Sequence, residues 1–145
     1  MSARDTAIGG LASVLATELS PIEVTRDETR SRNPPAAGLV LIREGQMLSA
    51  LPIMSPLQYA VEWSAELLVL VPQSTDVPAA RATLDGLLSD IDTAIATDRS
   101  LAGACDWAQP GEPQFVAQED EGTGALLAAL LPVTLSFTAP NSPAG

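Results

Sequence analysis

Few side chains in this sequence can do covalent or acid–base chemistry. It holds seven Arg, no Lys, no His and a single Cys, against 18 Asp and Glu. Without His and Lys it lacks the commonest general base, the commonest zinc ligand and the usual Schiff-base amine. Cys105 could serve as a nucleophile only if an Arg or a helix N-terminus lowered its pKa. The simpler reading is a small buried residue that behaves as an apolar one. Two Gly-containing stretches could suggest a phosphate loop, and neither fits. "IGGLAS" (Ile8 to Ser13) lies inside a helical pattern, and "GTGA" (Gly122 to Ala125) follows three acids that would repel an anion. Those acids, Glu119, Asp120 and Glu121, could offer carboxylate oxygens to Ca²⁺, yet they lack the alternating spacing of a calcium loop. They read as the tip of a hairpin turn, either solvated or facing a partner or a channel. The expectation is a protein without catalytic residues, metal or cofactor.

Association is the remaining kind of function. The segment "RDETRSRNPP" (Arg26 to Pro35) alternates in sign, so it is no basic patch for nucleic acid. It reads either as an exposed hairpin loop or as an arm whose Arg26, Arg30 and Arg32 pair with acids on a neighbouring molecule. Trp107, in a turn-rich stretch, is a candidate interface anchor, whereas Tyr59 and Trp63 read as core. The net charge of −11 opposes nucleic-acid binding, which draws on neutralising phosphates with basic side chains. No stretch approaches the roughly 18 apolar residues of a membrane span, and the first residues show no export signal. One cysteine allows no internal disulfide, so a reducing cytoplasm suits folding.

The elements that would position these residues follow from periodicity. Ile8, Leu11, Leu15 and Leu19 are spaced for one helical face, predicting a helix over Asp5 to Leu19, capped by Asp5 and ended by Ser20-Pro21. The pair Gly9-Gly10 implies that this helix is loose or closely packed. Short strands are expected at Ile22 to Arg26 and Gly38 to Arg43. Glu44 to Pro56 reads as irregular, with room for an edge strand at Met47 to Leu51. Alternation marks a long strand, Leu57 to Val71; beyond Glu66 both of its faces are apolar, as under a covering helix or in a subunit contact. Ala80, Leu84, Leu87, Leu88, Ile91 and Ile95 predict a second helix, capped by Asp76 and ending near Asp98, with Arg81, Asp85, Ser89, Asp92 and Thr93 in water. Strands at Gln114 to Gln118 and Leu127 to Thr138 follow, and residues 139–145 read as a frayed tail. With 145 residues this is one α+β domain: a largely antiparallel sheet with two helices packed on one face.

The strand "YAVEWSAELLVLV" (Tyr59 to Val71), the helix "ARATLDGLLSDIDTAIATDRSLAG" (Ala80 to Gly103) and the closing "EDEGTGALLAALLPVTLSFTAP" (Glu119 to Pro140) carry a resemblance. In pattern and order they resemble the tail terminator, or tail completion, proteins of long-tailed phages and phage-derived gene transfer agents. The likeness spans roughly Leu57 to Thr138 and rests on no invariant motif. It implies a structural virion protein, made in a bacterial host cytoplasm and built into a phage-like particle. Such a subunit forms a ring, usually a hexamer, that caps the head-proximal end of the tail tube, stops its growth and meets the neck or stopper protein. DNA would pass through without specific binding, and negative walls favour its sliding. A neck (stopper) or minor tail component is the nearest alternative, and an unrelated binding module or enzyme the next. The resemblance assigns no residue roles.

Overall fold

The computed structural model describes residues 2–26, 38–54, 57–72, 77–120 and 124–140. The first helix, α1, spans Ala3–Glu18. Its apolar face is buried as the spacing requires: Ile8, Leu11 and Leu15 are inaccessible, and Leu19 just beyond the helix is nearly so. Ser2, not Asp5, is the cap, its hydroxyl accepting from the Asp5 backbone N–H at 3.0 Å. Asp5 sits in the first turn, where a negative charge suits the helix dipole. The chain turns at Leu19, whose carbonyl accepts from Ile22 N–H, and Ser20-Pro21 ends the helix as expected.

Strand β1 (Glu23–Arg26) lies parallel to β2 (Leu39–Ile53), which pairs antiparallel with β3 (Gln58–Pro72). The second helix, α2 (Val77–Thr97), leads to β4 (Trp107–Pro110), β5 (Gln114–Asp120) and β6 (Gly124–Ala139). β6 pairs antiparallel with β3 on one side and with both β4 and β5 on the other, giving one six-stranded sheet of order β1-β2-β3-β6-β4 with β5 also on β6. The mixed, mostly antiparallel sheet with two helices is the α+β domain that the sequence predicts.

Strand alternation sorts the core. Val61, Trp63, Ala65, Leu67, Val69 and Val71 of β3 and Leu131, Val133, Leu135 and Phe137 of β6 share one cluster with the buried faces of both helices. All six predicted stripe residues of α2 are buried there, and its five predicted polar positions are on the surface. The opposite face carries a smaller cluster, Leu39, Leu41, Leu68, Leu70 and Ala128, with Leu130 against it. The doubly apolar run Leu67 to Val71 is therefore buried within the subunit, half in each cluster, and does not serve as an exposed subunit contact.

Several boundaries differ from the sequence reading. β2 does not stop at Arg43 but continues through the stretch read as irregular, because two register irregularities, between Arg43 and Gln46 and between Met47 and Ser49, keep it paired with β3. Gly45 makes the first possible: its φ is +72°, and a Cβ would collide with the Ser64 carbonyl. Because β1 and β2 are parallel, they are not the two strands of a hairpin, and the expected hairpin loop, residues 27–37, lies outside the described residues. β4 escaped the sequence reading because it is short and ends at a proline. The acids expected at a turn tip are partly strand: Glu119 and Asp120 pair with Ala125 and Gly124, while Glu121 lies outside the described residues. Ala139, read as the start of a frayed tail, is a fully buried strand residue opposite Tyr59. Residues 141–145 and the expected cap Asp76 lie outside the described residues.

The glycine pair of α1 yields a test with opposite signs. A Cβ on Gly10 would overlap that of Ala104, whereas on Gly9 it would meet nothing closer than the Arg26 guanidinium at 3.8 Å. Gly9→Ala should therefore raise stability by up to about 1 kcal/mol through helix propensity. Gly10→Ala should lower it by roughly 1–3 kcal/mol through overpacking. Urea unfolding of the two variants checks this, and equal shifts would contradict the close approach of α1 to the turn after α2.

Candidate interaction surface

The charges nearest the root of the β2–β3 hairpin form a connected group. Arg26, at the end of β1, donates from Nη2 to Asp5 Oδ1 and to Glu44 Oε1, each at 2.8 Å. Arg4 Nε lies 3.7 Å from the other Glu44 oxygen, and its guanidinium stands over the Trp63 ring at 5.3 Å. The Trp63 indole N–H donates to the Glu44 carbonyl. Burial lowers the Arg26 pKa, but hydrogen bonds and charge from Glu44 and Asp5 outweigh it and hold the group above its ordinary value. These acids are half exposed, so each pair is worth no more than about 1 kcal/mol. The value of the network is positional, since it fixes the first turn of α1, the end of β1 and the bulge of β2 on one another. The sequence leaves Arg26 either in an exposed loop or in an arm paired with a neighbour's acids; the structure pairs it with the chain's own. Arg30 and Arg32 lie outside the described residues.

The turn after α2 is organised by Asp98. Its carboxylate accepts from the Ser100 hydroxyl at 2.7 Å, the Ser100 N–H at 3.1 Å and the Ala102 N–H at 2.8 Å. These bonds hold Leu101, Ala102 and Gly103 in left-handed conformations and drive Leu101 into the core. Cys105 closes the turn, buried, its thiol 3.7 Å from the carbonyls of Arg99 and Ser100. Burial, reinforced by the Asp106 charge, pushes its pKa up to about 11, so it stays a protonated thiol at neutral pH rather than a thiolate nucleophile. Trp107 begins β4 half exposed, with Arg99 over its ring at 5.2 Å and its N–H donated to Gln109 Oε1.

Hydrophobic side chains left in water mark the other feature. From Gly45 to Val61 no residue is charged, in a chain of net charge −11. This hairpin arm exposes Met47, Leu48, Leu51, Ile53, Met54 and Leu57, with Leu51 at 65% and Met54 at 74%. Among the described residues the other large exposed hydrophobics are Trp107 and Phe115, the latter at 64%, on the β4–β5 side of the sheet. Both places are sheet edges. β1 covers β2 only over Leu39 to Ile42, so the rest of β2 has β3 as its sole strand neighbour among the described residues. β4 and β5 likewise pair only with β6. Large hydrophobic side chains left exposed in such number on one arm usually mark a contact site. Sequence reasoning found Trp107 but not the arm. The signal was present as a long uncharged run holding two of the three methionines, and it was obscured by Pro52 and Pro56.

Among the described residues no group of three or more His, Cys, Asp or Glu is placed to hold a metal, and no helix is long and apolar enough to cross a membrane. No protein-family model matches the sequence, and no curated protein matches it.

The Asp98 turn gives a pH-dependent prediction. Hydrogen bonds from the Ser100 hydroxyl and the Ala102 N–H hold its folded pKa below the ordinary 3.8. Its ionised form therefore stabilises the fold fully above that value, and the effect is lost as pH falls through the lower folded pKa. Asp98→Ala should unfold at lower urea than the wild type at pH 7, and the gap should close on acidification. A gap constant into strong acid would contradict the role of the carboxylate.

Proposed function

We propose that this chain is a non-catalytic structural subunit of the tail terminator kind, which assembles with copies of itself into a ring, most simply a hexamer, at the head-proximal end of a phage-type tail tube. The observation that carries the reading is the restriction of large exposed hydrophobic side chains, among the described residues, to two separate edges of one sheet. A subunit with two distinct sticky edges can join head to tail, and closed rings are the usual result when identical subunits do so. The resemblance of roughly Leu57 to Thr138 to the tail terminator pattern supplies the particular role. Its partners are then the tube protein below and the neck protein above, with the particle as its place of work after assembly in the host cytoplasm.

The chemistry of the chain is consistent with that assignment. Cys105 is held as a neutral thiol inside a turn. The strongly acidic composition suits a ring through which DNA slides, because the charge resists gripping phosphate. Glu119, Asp120 and Glu121 are assigned to the channel or to a partner in this reading, and Arg30 and Arg32 to a neighbouring subunit.

Mass measured by light scattering tests the proposal. The purified chain should form a closed ring, at high concentration or with tube protein added. A strictly monomeric mass under both conditions would remove it.

A further inference from the structure

We infer that the β2–β3 arm of one copy seats on the β4–β5 edge of a second copy, with the exposed side chains around Leu51 and Met54 packing against Phe115. The inference deepens the proposed ring and rests on that reading, since it names the two surfaces that would meet.

Charge is the first ground. Two copies of a chain with net charge −11 repel over most approaches, and the approach that costs least brings together surfaces without charge. The arm from Gly45 to Val61 has none, and Trp107 to Gln118 on the other edge has only Glu112. Hydrophobicity is the second. All the large exposed hydrophobics among the described residues belong to these two edges, so pairing one with the other removes both from water. Sheet order is the third. The arm and the β4–β5 edge flank opposite sides of the central β3–β6 pair, so one copy can use both at once. The contact is then heterologous and propagates from copy to copy until it closes.

The prolines indicate what kind of contact this is. Pro52 on the arm, and Pro110 and Pro113 on the opposite edge, have no N–H to give to a neighbouring strand. A long intermolecular backbone ladder is therefore interrupted, and side-chain packing must hold the copies together. Methionine suits such a contact because its unbranched thioether adapts to a curved or imperfect partner.

Cysteine cross-linking separates the possibilities, because Cys105 is the sole native thiol and Cys105→Ala removes it. In that background, Leu51→Cys and Phe115→Cys are made as separate full-length proteins and oxidised under conditions where light scattering shows assembly. Mixing the two should yield a covalent dimer that neither gives alone, and one chain carrying both changes should give a covalent ladder. A dimer from the Leu51→Cys protein alone would mean two-fold arm-to-arm pairing and overturn the inference. An assembly of ring mass without cross-links would overturn it too, while leaving the proposed function standing; a monomer under all conditions would remove both. As a check that does not depend on disulfide geometry, Leu51→Glu with Met54→Glu should weaken self-association at least tenfold, with the thermal midpoint of the dissociated protein unchanged. Unaltered association would contradict the arm's part in it.

Discussion

The antiparallel pairing of β3 with β6 is the interaction on which the rest of this structure depends. It runs from Tyr59 opposite Ala139 to Pro72 opposite Leu126, without a bulge. Because strand side chains alternate, this one register decides which residues meet the helices and which face away. Val61, Trp63, Leu67 and Val69 then lie beside Leu131, Val133, Leu135 and Phe137 under α1 and α2. A slip of one residue would instead put Glu62, Ser64 and Glu66 beneath the helices, leaving carboxylates in an apolar layer at a cost of several kcal/mol each. Each of these buried Leu, Val and Phe side chains contributes roughly 1.5–3 kcal/mol, so the register is strongly fixed.

The edges follow from that central pair. With both long strands committed to each other, β2 can add only outside β3, and β4 and β5 only outside β6. β1 pairs only with the first residues of β2, so among the described residues the arm has no strand beyond it. The charge network of Arg26, Asp5, Glu44 and Arg4 sits where the covered part of β2 gives way to the bare part. Glu44 lies in the first bulge, beside Gly45, and Trp63 on the neighbouring strand holds its carbonyl. An apolar arm on a firmly held root can present its side chains at a defined angle, which a flexible loop could not do without a larger entropic cost on binding.

The parts of this architecture that were legible in sequence are those with local causes. The α2 stripe from Ala80 to Ile95 repeats with helical period, and the alternation of Tyr59 to Trp63 and of Val133 to Phe137 shows each strand by itself. The parallel placement of β1, the continuation of β2 past Gly45 and the short β4 all depend on a neighbour distant in sequence, and no periodicity records that. The same holds for the candidate site. Trp107 stood out as an aromatic in a turn-rich stretch, whereas Arg26 looked like part of a surface arm because its partners, Asp5 and Glu44, are 21 and 18 residues away. The arm itself escaped because prolines in an uncharged run read as loop, although proline is tolerated on an edge strand.

Hydroxyl-radical footprinting read by mass spectrometry tests the central claim, that this chain is completed by burying its two apolar edges against copies of itself. Met54 and Leu51 on the arm, and Trp107 and Phe115 on the other edge, are the positions to follow, with the outer face of α2 around Arg81 and Asp85 as the internal reference. On going from dissociated to assembled protein, both edges should lose reactivity together while the α2 positions stay unchanged. Unaltered reactivity at both edges, or protection confined to α2, would contradict the account.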